Sequence, residues 1–258
     1  MPLTTSSRRG AFEAEKPIRC EHCGAMRPPR KVVREDGTPV EFNGIPAFWG
    51  HEDCGCPGAV AEREAIAEAE RRKAAKEQAE AKERAIERAG IPLRYRDAAH
   101  PYAAKMAALA SEGQGFYIFG PNGTYKTTLA MAAALQLIET GRRVMAVATY
   151  DLMDAMRSRK DEDRALFERA AGCDVLILDD LGKEASNTAY ACERLFAIID
   201  KRDKAMLPTI VTSNYRLSEI AKNITEGAVG VAIASRLASS SKQVPLEGPD
   251  RRLTSGQD

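Results

Sequence analysis

The chain carries almost no excess charge of either sign: 38 Lys and Arg stand against 37 Asp and Glu, a formal net charge of +1. That balance excludes nucleic-acid binding by bulk electrostatics, so any DNA contact must come from local patches. No apolar run reaches membrane-spanning length, and the first residues are polar and basic without a secretory pattern. A cytoplasmic location without membrane contact is therefore expected. Internal repeats are missing, as are long low-complexity tails beyond a polar N-terminus and the last few residues. Residues 1–58 hold too little apolar material for an ordinary core, and a module of that size needs a staple.

The six cysteines supply one. In a reducing compartment, paired cysteines bind metal more often than they form disulfides. Cys20-Glu-His-Cys23 is a C-x-x-C knuckle followed by Gly24, and Cys54-Gly-Cys56 is a second pair. Two such pairs provide the four thiolates of a tetrahedral structural Zn²⁺ site. His51 and His22 are competing ligands, so a Cys₃His set stays open beside Cys₄. A redox C-x-x-C is disfavoured, because no helical apolar period surrounds it and Pro28-Pro29 follows. Val32, Val33, Val40, Phe42, Ile45, Phe48 and Trp49 suit two or three short strands, with Asp36-Gly37 and Asn43-Gly44 as turns. A zinc-ribbon-like module over 1–58 is expected. Cys173 and Cys192 read as small core residues.

Residues 59–89 are built almost wholly from Ala, Glu, Lys, Arg and Gln, with Ile66 and Ile86 among the few large apolar groups. Helix propensity and alternating charge predict a solvated helical linker. A sustained a/d heptad is absent, which argues against a coiled coil.

The richest stretch is Gly120-Pro-Asn-Gly-Thr-Tyr-Lys-Thr-Thr128, directly behind the apolar run Phe116–Phe119. Strand, glycine-bearing loop and Lys-Thr opening a helix are the parts of a nucleoside-triphosphate cradle. Gly120, Pro121, Asn122, Gly123, Thr124, Tyr125, Lys126, Thr127 and Thr128 would surround the phosphates. Lys126 would reach the β- and γ-phosphates, and Thr127 would hold Mg²⁺. Tyr125 stands where the motif G-x-x-x-x-G-K-[ST] has Gly. A right-handed backbone at the start of the helix, with the ring turned outward, is the conformation in which Tyr is tolerated.

Cys173-Asp-Val-Leu-Ile-Leu-Asp-Asp-Leu-Gly182 is an apolar run ending in two carboxylates, as for a parallel strand covered on both faces. Asp179 would bind Mg²⁺, and Asp180 would orient the attacking water. The strand Leu207–Asn214 ends in an amide able to hydrogen-bond that water or the γ-phosphate. Arg236, within Ala234-Ser-Arg-Leu237, reads as an arginine finger for a neighbouring subunit's nucleotide. Arg157, Arg159, Lys160 and Arg164 form a local basic cluster that serves equally as a DNA contact or a solvated helical face. Alternating strands and helices predict an α/β fold, a parallel sheet with helices on both faces.

Taken in order, GPNGTYKTTLA, LILDDLG, TIVTSN, SRL and the tail Val244–Arg252 resemble the DnaC/DnaI/IstB branch of AAA+ ATPases. Ala89-Gly-Ile-Pro-Leu-Arg-Tyr-Arg-Asp97 is similar to the entry segment that precedes this module in helicase loaders. The resemblance covers about residues 89–252. It implies a P-loop AAA+ ATPase domain over 90–258, with ATP and Mg²⁺ as cofactors. It also implies loading of a replicative DNA helicase on single-stranded DNA, as a homo-oligomer when ATP is bound. The related helper ATPase of DNA transposition shares the same core, and a nucleotide-gated scaffold with little hydrolysis is the reading Tyr125 favours.

Overall fold

The computed structural model describes residues 16–42, 45–156, 161–182, 189–224 and 228–250, with the backbone alone at 42, 45, 161–163 and 223. Asn43-Gly44, Arg157, Arg159 and Lys160 lie outside the described residues. The chain forms two compact units, Met1–Gln78 and Ala79–Asp258.

Among the described residues of the first unit, six short strands pair antiparallel: β1 (Ile18–Arg19) with β2 (Met26–Arg27), β3 (Pro29–Lys31) with β6 (Phe48–His51), and β4 (Glu41–Phe42) with β5 (Ile45–Pro46). The Cys20–Cys23 knuckle turns between β1 and β2. There the Gly24 amide donates to Cys20 O at 2.8 Å, from a φ of +73° that suits glycine. Trp49 is 81 % exposed, so it is no core residue of this unit. Helix α1 (Pro57–Ala89) runs as a single helix of 33 residues from this unit into the second.

The second unit continues with a 3-10 turn at Leu93–Tyr95, α2 (Ala103–Ser111), β7 (Gly115–Phe119), α3 (Lys126–Glu139), β8 (Val144–Ala148), α4 (Thr149–Ala155) and α5 (Asp161–Gly172). It closes with β9 (Val175–Leu181), α6 (Ala189–Lys204), β10 (Thr209–Ser213), α7 (Leu217–Ile224), α8 (Ala228–Ser240) and β11 (Ser241–Pro245). Five strands form one all-parallel sheet in the order β11-β7-β10-β9-β8. The two faces are read off the period of two along each strand. Phe116, Ile118, Val175, Ile177 and Ile210 face a core shared with α2 and α3. Tyr117, Leu176, Leu178 and Val211 face the opposite core, shared with α4 to α8. Cys173 and Cys192 are buried there as small core residues.

Candidate functional site

The carboxyl ends of β7, β9 and β10 meet at a cleft of about 240 Å³, the edge at which an open parallel sheet binds ligands. Asn122 to Thr128, Asp179, Asp180 and Asn214 line it together. A larger cavity of about 450 Å³ lies at the opposite edge, beside Arg88, Arg142, Arg143 and Cys173. Its arginines are largely engaged already, Arg143 with Asp174 and Arg142 with Ser111 O.

The loop is held in place from behind. Strand β11 pairs along β7, and the Leu246 amide donates to Phe119 O at 2.8 Å. Gly120, at φ +152°, has no room for a Cβ, which would stand 2.0 Å from Leu246 O. A Cβ on Gly123 would meet Asp250. Both glycines are therefore required by the C-terminal segment as well as by the loop's own turn. Lys126 is buried, and its Nζ donates to Gly120 O at 2.9 Å and Pro121 O at 2.7 Å. The ammonium thus sits inside the loop at the start of α3, where N–H groups and helix dipole favour an anion.

Tyr125 corrects the expectation of a right-handed backbone. It is the N-cap of α3 with φ 62° and ψ 25°, the left-handed region that its missing Gly would occupy freely. Holding a non-glycine residue there costs about 1–2 kcal/mol. Tyr125 is 42 % exposed at the rim of the cleft.

The acidic pair is fixed by hydroxyls. Asp179 Oδ1 accepts from Thr127 Oγ1 at 2.8 Å and from Thr212 Oγ1 at 2.6 Å. Thr149 Oγ1 donates to the Asp179 carbonyl at 3.0 Å. Asn214 Oδ1 is buried without a hydrogen-bond partner among the described residues, an acceptor facing a polar cleft. A caged ammonium, a Thr-Asp pair of hard oxygen donors and an orphan amide oxygen fit a magnesium nucleotide and a water. Lys126, Thr127 and Asp179 are the residues that would hold it.

Arg236 stands apart from this cleft. Its guanidinium lies 3.0 Å from Asp200 Oδ1 and 3.6 Å from Asp203 Oδ2, on the neighbouring α6. Arg94 and Tyr95, stacked with the guanidinium 5.1 Å from the ring centre, also line the cleft and went unassigned in the sequence. The entry segment that contains them was the available signal.

In the first unit, the Sγ atoms of Cys20, Cys23, Cys54 and Cys56 all lie within 4.8 Å of one another. The pairs Cys20–Cys56 and Cys23–Cys54 are 3.8 and 3.4 Å apart. Four thiolates around one zinc at 2.3 Å stand ~3.8 Å apart, so the set fits the metal. Backbone N–H groups of Cys23 and His22 hold the Cys20 thiol down to about 6. Against the Ala25 N–H, the neighbouring Cys54 and Cys56 thiols push Cys23 up to about 12, so without a metal the four thiols share few thiolates. His51 is outside the cluster, its Nε2 3.0 Å from Lys16 O. His22 Nε2 instead meets Glu62 of α1 at 2.9 Å, and Arg63 donates to Cys54 O at 2.9 Å. The cysteine cluster is thereby tied to the first turns of α1. Purified chain is expected to carry about one zinc per molecule. Chelation, or Cys54→Ser, should release it and lower the protection of residues 16–64 in hydrogen exchange. Metal-free protein with four freely titrating thiols and unchanged protection would sink this reading.

Among the described residues, no helix is long and apolar enough to cross a membrane. The model of the family described as IstB-like ATP binding protein matches residues 59–257. An IS21 insertion-sequence ATP-binding protein of Pseudomonas aeruginosa is 27% identical over 149 residues, 57% of this chain and 55% of that protein. The replicative helicase loader DnaC of Escherichia coli is 27% identical over 115 residues, 43% of this chain and 46% of the loader. The chain thus spans about half the length of these relatives. Among solved structures, the DnaI crystal structure is 25% identical with a TM-score of 0.51, covering 58% of this chain and 82% of that one. The DnaC helicase loader structure is also 25% identical, with a TM-score of 0.50, covering 60% of this chain and all of that one. With its parallel sheet, phosphate loop and acidic strand end, the chain belongs to the IstB-like ATP-binding protein family and has the P-loop AAA+ fold.

Proposed function

We propose that this protein is an ATP-dependent loader of a replicative DNA helicase, assembling on single-stranded DNA as a homo-oligomer. The observation that carries the ATPase part is the convergence of Lys126, Thr127, Asp179, Asp180 and Asn214 on one cleft. Bound Mg²⁺ would neutralise charge developing between the β- and γ-phosphates. Lys126 leaves its carbonyl cage to meet the phosphates, and Thr127 and Asp179 supply oxygen ligands. Asp180 takes the proton of the attacking water while Asn214 Oδ1 accepts its second hydrogen bond. Arg236 acts in trans, exchanging Asp200 and Asp203 for a neighbour's γ-phosphate, which couples nucleotide state to assembly. Loss of that phosphate returns Arg236 to α6 and loosens the assembly.

The loader reading is preferred over a transposition helper because of the cysteine cluster, which gives the chain a second module for grasping a partner. The IS21 relative supports the helper reading with similar weight in the ATPase core. Co-purification decides between them. A hexameric replicative helicase is expected to pull down the full chain with ATP, and less so after Cys54→Ser. Capture by a transposase, with no helicase complex at any nucleotide state, would replace the loader by the helper.

A further inference from the structure

A strand sends successive side chains to opposite faces, so neighbouring carboxylates at Asp179 and Asp180 should not share a site. They do share one, and the cause is a bulge in β9. Val211 pairs with Leu178, but Ser213 pairs with Leu181, so two residues of β9 stand opposite Thr212 alone. Leu178 and Leu181, three apart, consequently face the same core. The inserted residue is Asp180, at φ +59°, in the left-handed region that bulges use and that a side chain makes costly.

One hydroxyl holds this arrangement. Thr212 Oγ1 accepts from the Asp180 amide at 2.9 Å, satisfying the N–H that the bulge removes from the strand ladder. The same oxygen donates to Asp179 Oδ1 at 2.6 Å, so its hydrogen and an acceptor lone pair are both engaged. Thr212 itself is fully buried in the middle of the sheet. Ser213 closes the far side of the bulge, donating to Leu181 O at 2.7 Å.

We propose that Thr212 is a positioning residue for the nucleotide site. Its hydroxyl orients the Asp179 carboxylate for the metal and pins the bulge that turns Asp180 into the same cleft. The proposal rests on the Mg-ATP reading of that cleft and adds to it a residue that touches neither nucleotide nor metal.

The test uses the full chain with Thr212→Val, which keeps shape and burial but has no hydroxyl, and Thr212→Ser, which restores the hydroxyl without the methyl. Three quantities are read: nucleotide affinity in EDTA, the Mg²⁺ concentration that half-saturates nucleotide binding, and kcat. Thr212→Val is expected to keep its EDTA affinity within about twofold, to need at least about tenfold more Mg²⁺, and to lose at least about tenfold in kcat. Exchange protection of the Asp180 amide should fall with it. Thr212→Ser should recover each quantity to within about threefold. Should Thr212→Val fail to fold, Thr212→Ala is read against Thr212→Ser in the same way. Wild-type Mg²⁺ dependence and kcat in the hydroxyl-free variant would overturn the proposal, as would a Ser variant as impaired as Val. Failure of the underlying reading has a different signature: wild type itself would show no Mg²⁺-dependent nucleotide binding, and the proposal would fall with it.

Discussion

Lys126→Ala is expected to abolish ATP turnover, by at least about 100-fold, with little change in folding stability. The ammonium is buried and donates to two neutral carbonyls, Gly120 O and Pro121 O. Removing a desolvated charge returns part of what its burial cost, and carbonyls lining an open cleft can be rehydrated. A lost interaction with the γ-phosphate has no such replacement, because no other cation lies among the residues of the loop itself. Thermal unfolding and nucleotide titration separate the two effects. Tyr125→Gly is the companion variant. It relieves the left-handed strain, raising stability by about 1 kcal/mol, and should turn over ATP at least as fast as wild type. Turnover retained in Lys126→Ala would place the reactive site elsewhere. A silent wild type revived by Tyr125→Gly would make Tyr125 a brake and nucleotide a switch.

The largest effect on stability is expected at Arg202, the one charged side chain of α6 that is fully buried among the described residues. Its Nε donates to Thr209 Oγ1 at 3.0 Å, Nη1 to Ala170 O and Cys173 O at 3.0 and 2.8 Å, and Nη2 to Pro208 O at 2.7 Å. One guanidinium therefore ties the end of α5 to the starts of β9 and β10, at the edge of the sheet opposite the cleft. Burial draws its pKa down, yet an arginine stays protonated. Arg202→Ala would leave several buried acceptors without donors and open a cavity. A loss of roughly 3–5 kcal/mol follows, or a melting point lower by on the order of 10 °C. Arg202→Lys keeps the charge and loses the fork, so it should fall between the two. An alanine variant within about 1 kcal/mol of wild type in urea unfolding would show that water replaces these bonds.

Much of the site was legible because its chemistry is local. A cradle needs a strand, a glycine turn and a Lys-Thr opening in unbroken sequence, and Gly120 to Thr128 supply them. The cysteine pairs were equally readable, since two knuckles need only come together, and all four thiols do. Tyr125 was visible as a departure, but its backbone was read the wrong way. The sequence at that position allows either hand, and the packing of Leu246 and Asp250 behind the loop fixes the loop's path.

The sequence by itself determined the α/β class and the order of the motifs, because hydrophobic period and motif spacing are properties of the chain. Only the tertiary structure decided which neighbours those groups would have. Arg236 was placed with Asp200 and Asp203 of α6, Arg94 and Tyr95 were brought to the cleft, and His51 was left outside the thiol cluster. Thr212 is the clearest case. In the sequence it is one β-branched residue of a buried strand, and nothing local marks it. Its role depends on a register shift against β9, where Val211 stands opposite Leu178 but Ser213 opposite Leu181, and register is settled by sheet packing.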